Sequence, residues 1–582
     1  MPTDRPTVSS PTMLRQLLIF IAATIVASAC TSASEVSTTT TDAPNTTTEI
    51  VTTTSEPEDG SRDLVTIGVS GAVATLNPFA ENLSGEANVA GQAVWATVYD
   101  IMPETWERVP DNVMSLPSVT PGAIEVSENG SMVVRYEVQK GAMWSDGTPI
   151  SGEDIAFTAE AMAQFANAGS PGIDPIMATV TSTDFVERIA WITFSETSLV
   201  FEDALWVILP SHAIDSIAEL KVANGLDWPS GGPFMVADST RPGVLDLERN
   251  PNYWKTDENG TQLPYLDRLT IISSEEPGLE VDLFASRSAD VIALHASSEA
   301  VDLIPDDAEI QQVPTLFVEH LTFQLGSGRD EVNPGSLNDF LDYRRAVAFS
   351  IDRPTLLLAS DVPWMPETPG MLTPLVRSAW DRYPHDVAAA RDLLQMVLGD
   401  AASGLAPEAV LSTTGNGEDR VRIGDALVGS FDAVGIALTT SYVDSLIFYG
   451  DQLSAGEFDI GMWAWVSDGG YGNQIELMEL LDPASEAVGA NYGNWGVGVS
   501  VSDGVATFSE LVAEMKRTID PARFNEIVER AEQLLAEYLP LIPLFHRSSA
   551  VAVWMDSVAG VVHNGSRSGL TWNVETWQKP GS

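Results

Sequence analysis

Gly141-Ala142-Met143-Trp144-Ser145-Asp146-Gly147-Thr148-Pro149-Ile150-Ser151-Gly152-Glu153-Asp154-Ile155-Ala156-Phe157-Thr158 is the stretch on which the reading of the fold turns. Asp146-Gly147 makes a tight turn after a strand that ends near Gln139, since both residues suit turn backbone. Ser151 and Asp154 have the spacing of a capping box, in which a hydroxyl satisfies an orphan amide at the start of a helix. A turn followed by a helix is therefore predicted. By itself this is structural grammar without chemistry.

Similar grammar lies on either side. Val65-Thr66-Ile67-Gly68-Val69 alternates as a strand should, and Asn77-Pro78 marks a turn just after it. Further on stand Ser230-Gly231-Gly232-Pro233-Phe234-Met235-Val236, Leu247-Glu248-Arg249-Asn250-Pro251-Asn252-Tyr253-Trp254 and Leu263-Pro264-Tyr265-Leu266-Asp267. Asp342 to Arg353 reads as a helix that stops near Asp352, which can cap a second helix with Pro354 in its first turn. Asp520 and Pro521 are a good cap and first residue for another helix, in which Phe524, Ile527, Val528, Ala531 and Leu535 share one face.

In this order, these segments resemble the family 5 extracellular solute-binding proteins of ABC importers, the oligopeptide and dipeptide receptors. The matching patterns are a T-L-N/D-P turn, a D-G-x-P-hydrophobic helix start, a G-x-G-P-Y/F strand, an N-P-x-Y-W turn and an R-x-A-hydrophobic helix ending in D-R. The resemblance runs from about Val65 to Trp577. It implies an α/β, bilobal periplasmic-binding-protein-like fold of class II, of the large peptide-receptor type, with the ligand cleft between lobes. Lobe I is expected at 64–100, 231–318 and 540–582, with an inserted subdomain at 101–230. Lobe II is expected at 319–539. Pro540-Leu541-Ile542-Pro543-Leu544-Phe545 matches the family's proline-flanked strand at the return crossing.

The N-terminus reads as an export signal. Arg5 and Arg15 precede an uncharged run from Leu17 to Ala29, too short to span a membrane, which takes about 20 apolar residues. Ala27-Ser28-Ala29-Cys30 resembles a bacterial lipobox, with Ala27 where many have Leu. Residues 1–29 are thus expected to be a signal peptide and Cys30 a lipidation site. Residues 30–62, rich in Thr and Ser, cannot bury enough surface to repay their ordering entropy and read as a tether.

Composition narrows the function. The formal charge is −53, with only 19% charged residues. Such a surface disfavours nucleic acid, whose phosphates call for basic partners. The one cysteine rules out a disulfide framework. His212, His295, His320, His385, His546 and His563 form no helical metal pair, so neither metal nor cofactor is expected. The chain has no G-x-S-x-G elbow and no phosphate loop. No acid–base pair stands out either, and an enzyme is not expected.

Candidate ligand residues come from Phe458-Asp459-Ile460-Gly461-Met462-Trp463-Ala464-Trp465-Val466-Ser467-Asp468-Gly469-Gly470-Tyr471. In peptide-binding relatives a W-x-x-D pattern here supplies the carboxylate that pairs with the ligand's α-ammonium. Trp465 and Asp468 reproduce that spacing. The family's usual D-Y-x-D-P is replaced by Asp468-Gly469-Gly470-Tyr471, and Asp before Gly-Gly is also ordinary turn chemistry. Trp463 and Trp465 lie on one strand face and can be core or pocket wall. Tyr471, Trp495 and, more weakly, Trp95 complete the set. The resemblance implies a monomeric, lipid-anchored receptor that binds a peptide and delivers it to an ABC permease and its ATPases. Alternatives are an oligosaccharide or other small solute, or a lipoprotein that senses without transport.

Overall fold

The structure is a computed structural model that describes residues 63–582 except 81–82, 119–121, 171, 275–277, 295–302, 360–369, 373–378, 402–406, 466–469, 486–490, 497–502 and 582. The expected signal peptide, the tether, Cys30 and Asp468 lie outside the described residues. The fold is α/β. Its spine is one ten-stranded mixed sheet built from β1 (Leu64–Ser70), β2 (Phe234–Asp238), β3 (Val244–Arg249), β4 (Arg268–Ser274), β5 (Val291–Leu294), β6 (Glu309–Phe323), β7 (Glu408–Thr414), β8 (Ala437–Val443), β9 (Ile460–Trp465) and β10 (Leu541–Val553). Their order across the sheet is β2-β3-β4-β1-β5-β10-β6-β9-β7-β8.

Two strands belong to both ends of this sheet. The outer part of β10 pairs with β5, Val291 opposite Val553, and with β6, Glu309 opposite Val553. Beyond Pro314–Ser548 the β6–β10 ladder is interrupted and resumes at Val318–His546. From there β6 pairs on its other edge with β9, Val318 opposite Trp465. The chain thus passes between two half-sheets twice, along one antiparallel pair. β1 to β5 form the first half and β7 to β9 the second.

A separate antiparallel sheet, ordered 124–126, 132–137, 189–194 and 180–186, is inserted in the first half and packs on helix α1 (Gly152–Asn167). The predicted capping box is present, with the Ser151 amide donating to Asp154 Oδ2 at 2.8 Å. The other oxygen of Asp154 accepts from the amide and hydroxyl of Ser211 at 2.9 and 2.6 Å. The sequence motifs turn out to be the joints of this half. Asn250 Nδ2 donates to the Gly232 carbonyl and Asn252 Nδ2 to that of Ser145, both at 2.9 Å. The Ser145 amide in turn meets the Ser230 carbonyl at 2.7 Å.

In the second half, α2 (Leu341–Ser350), α3 (Glu418–Val434), α4 (Tyr471–Leu481) and α5 (Pro521–Tyr538) are the main helices near the crossing. Asp520 caps α5 as expected, accepting from the Ala522 amide at 3.0 Å. The arginines of the R-x-A…D-R pattern reach the return crossing. Arg344 donates to the carbonyls of Asn338 and Tyr538 at 2.6 and 2.7 Å, and Arg353 to that of Pro543 at 3.0 Å. Burial pushes both guanidinium groups down to about 10.

Arg344→Met therefore leaves two carbonyls without this partner. Stability is expected to fall by about 1–3 kcal/mol, read as a lower urea midpoint by circular dichroism. An unchanged midpoint would mean that these bonds hold nothing.

Candidate functional site

The site begins with the anchoring of β9. Asp459, just ahead of it, is buried and accepts from Asn333 Nδ2 at 2.8 Å, Ser336 Oγ at 2.6 Å, Asn338 Nδ2 at 2.9 Å and the Val410 amide at 2.9 Å. Burial raises its carboxyl, and the bonds from Asn333, Ser336 and Val410 draw it back. With its start fixed in this way, β9 presents Trp463 and Trp465 on one face, beside His320 of β6.

Four rings make a cluster there. His320, Trp465 and Tyr492 lie nearly parallel, with interplanar angles of 7° for His320–Trp465 and 15° for Trp465–Tyr492. Trp463 stands edge-on to all three, at 72°, 76° and 88°. Such edge-to-face contacts suit the ring quadrupoles. Trp463 and Trp465 also wall a small hollow of about 20 Å³ that opens to solvent, together with Thr322, Asn491, Tyr492 and Trp495. Leu480, Leu481, Gly493, Pro540 and Leu541 close it, so none of its lining residues carries a charge. The indole N–H groups of Trp463 and Trp465 are buried without a hydrogen-bond partner among the described residues. Each unsatisfied donor is a standing cost of about 1–3 kcal/mol.

The loop carrying Trp495 is held by its own polar residues. Asn491 accepts from the Trp495 amide at 2.8 Å and donates to the Trp495 carbonyl at 2.7 Å. Gly493 lies so close to β6 that a Cβ would stand 2.7 Å from the Phe323 carbonyl oxygen. Any side chain there would push the loop off the strand.

On the other side of β6, Glu319 is fully buried between two arginines, Arg420 Nε at 3.1 Å and Arg547 Nη2 at 2.8 Å. Asp419 takes a second bond from Arg547 at 2.8 Å. The two arginine charges hold the Glu319 carboxyl below its ordinary range against burial. The cluster is charge-balanced and ties β6 and β10 to the start of α3.

The structure thus gathers Trp463, Trp465 and Trp495 around one hollow and places Tyr471 and Trp95 elsewhere. The Tyr471 ring packs on Phe524, with centroids 4.8 Å apart, and lies 4.7 Å from the Arg108 guanidinium. Trp95 donates to the Leu76 carbonyl at 2.8 Å and packs on Trp206. His320, Thr322, Asn491 and Tyr492 were not read as site residues. The available signals were the period-two face of β6 and the polar Asn491-Tyr492-Gly493-Asn494 turn. No group of His, Cys, Asp and Glu suited to a metal occurs among the described residues, and no described helix is long and apolar enough to cross a membrane.

Residues 119–482 match the family described as bacterial extracellular solute-binding proteins, family 5 Middle. The chain belongs to that family. An uncharacterized lipoprotein of Mycobacterium tuberculosis is 24% identical over 512 residues, covering 78% of this chain and 84% of the relative. The oligopeptide-binding protein OppA of the same species is 23% identical over 466 residues, covering 74% and 72%. Among solved structures, the ABC transporter substrate-binding protein CtaP of Listeria monocytogenes superposes with a TM-score of 0.66 at 16% identity, covering 89% of this chain and 99% of that one. This family 5 protein therefore has the bilobal fold of periplasmic binding proteins.

Its buried histidines set a pH response. His320 Nδ1 lies 3.3 Å from the Val318 carbonyl, which makes Nδ1 the protonated nitrogen of a neutral ring. Burial lowers His320 and His563 to about 4, and lowers His546 as well. Below the ordinary histidine value of about 6.5 the unfolded chain takes up protons that the folded one refuses, so stability falls as pH drops from there toward 4. His320→Phe is expected to flatten that slope in urea titrations run between pH 7 and 4. An unchanged slope would mean that His320 is charged in the folded protein.

Proposed function

We propose that this family 5 protein is a lipid-anchored receptor that takes a peptide into the cleft between its halves and passes it to an ABC import permease. The observation that carries this reading is the uncharged aromatic hollow beside the two crossing strands, in a chain with a net charge of −53. The apolar and aromatic lining suits an apolar or aromatic side chain by its chemistry. Two features support a peptide over other solutes: the relatives named as oligopeptide-binding proteins, and the W-x-x-D spacing of Trp465 and Asp468. On this reading Asp468 pairs with the peptide's α-ammonium, a charge-assisted bond to the one cation that every free peptide carries. Cys30 carries the anchor, the protein acts as a monomer, and no bond of the ligand is made or broken.

The test is calorimetric titration of the full-length protein, purified in detergent, with a pool of random pentapeptides, the same pool N-acetylated, and a set of oligosaccharides. Free pentapeptides are expected to bind, acetylation and Asp468→Ala each weakening them by tenfold or more. Trp465→Ala is expected to weaken them less. Binding of oligosaccharides alone, lost with Trp465→Ala and kept with Asp468→Ala, would replace the peptide by a stacked sugar.

A further inference from the structure

One amide at the start of α4 is met from outside the helix. Its Ncap position is Gly470, which has no side chain to satisfy the first amides, whereas α1 and α5 carry Ser151 and Asp520 there. Unmet amides at a helix start call for an acceptor, and negative charge suits that end. The acceptor comes from the other half of the molecule. Asp203 Oδ2, on the short helix Phe201–Ala204 of the inserted subdomain, receives the Gly472 amide at 3.1 Å. Among the described elements, and away from the shared strands, the meeting of this short helix with α4 is the most extensive contact between the two halves.

Two further contacts converge on the same point. Asp203 pairs through Oδ1 with Arg108, and the side chains of Arg108 and Asp203 are only 10% and 7% exposed. The guanidinium thus fixed lies 4.7 Å from the Tyr471 ring, an interaction that gains strength where water is excluded. Gly472 also permits a close approach that a side chain would force apart. A Cβ there would lie 2.5 Å from Asp174 Oδ2 and 2.9 Å from Val200 Cγ1, both in the first half.

We propose that Asp203, Arg108, Tyr471 and Gly472 form a latch between the two halves, which positions α4 relative to the cleft and sets the balance between open and closed receptor. Asp203 and Arg108 pair inside the first half, so opening leaves their ion pair in place. What is lost is the cap on α4 and the ring over the guanidinium. These are two contacts of modest strength, offset by the cost of drying the charged pair. The latch is therefore too weak to close the receptor alone and strong enough to add to what a ligand supplies. α4 starts six residues after Trp465, so a ligand at the hollow and the latch act on neighbouring positions of one chain segment. Tyr471 is on this account a positioning residue for closure.

Hydrogen–deuterium exchange of the full-length protein in detergent, with no ligand added, tests the latch. In Gly472→Ala, exchange is expected to rise by about fivefold in peptides covering 201–204 and 471–475, the equivalent of one lost hydrogen bond. Exchange in β1 and β4 is expected to stay as it is. Helix propensity alone predicts the opposite sign, since Ala favours a helix over Gly. A role confined to α4 would also leave 201–204 unmoved. Tyr471→Leu keeps apolar packing on Phe524, removes the ring from Arg108, and is expected to raise exchange in the same two segments. It decides the matter should Gly472→Ala not fold. Wild-type exchange at 201–204 in the folded variants would overturn the latch. Because no ligand enters the measurement, its outcome is independent of whether the solute is a peptide.

Discussion

Everything in this molecule hangs on the antiparallel pairing of β6 with β10. Fifteen residues of one strand and thirteen of the other run through both half-sheets. The outer end of β10 pairs with β5, and the inner end of β6 pairs with β9. The ladder is irregular between Pro314 and Val318, where the Thr315 hydroxyl donates to the Arg547 carbonyl at 2.7 Å. The Glu319–Arg547 pair staples the two strands just inside that break. Replacing either charge alone would strand its partner in the interior, where an unpaired ion is expensive.

The position of the hollow follows from this constraint. β9 pairs with the inner part of β6 on one edge and with β7 on the other, which sets Trp463 and Trp465 beside His320 and Thr322. The Asn491–Trp495 loop is drawn against the same strand by the close approach of Gly493. Sequence segments some 170 residues apart, at Gln324 and Asn494, are joined there by a bond of 2.7 Å. The result is an uncharged aromatic wall beside the crossing strands of a strongly acidic protein.

The fold was legible in the sequence because its motifs are local joints. Asn250, Asn252, Ser230 and Ser145 hold the inserted subdomain to its half-sheet, and Ser151 with Asp154 starts α1. Asp520 caps α5 within three residues of chain. Arg344 and Arg353 show why an R-x-A…D-R pattern belongs with a proline-flanked strand, since their donors reach the carbonyls at that crossing. The site was less legible because its members are remote in sequence. No local pattern marks His320 or Tyr492 as neighbours of Trp465. Nothing near Gly472 says that Asp203, 269 residues earlier, accepts its amide. Tyr471 follows the W-x-x-D pattern in sequence, and its ring lies 4.7 Å from the Arg108 guanidinium, a neighbour that no local pattern announces.

The central claim is that this protein captures a peptide between its halves. The most direct measurement is mass spectrometry of the small molecules released when the protein, purified gently from its own cells, is denatured. The account predicts peptides of limited length with free N-termini, enriched in apolar or aromatic side chains. Recovery of glycans or a metal chelate, with no peptides, would contradict it.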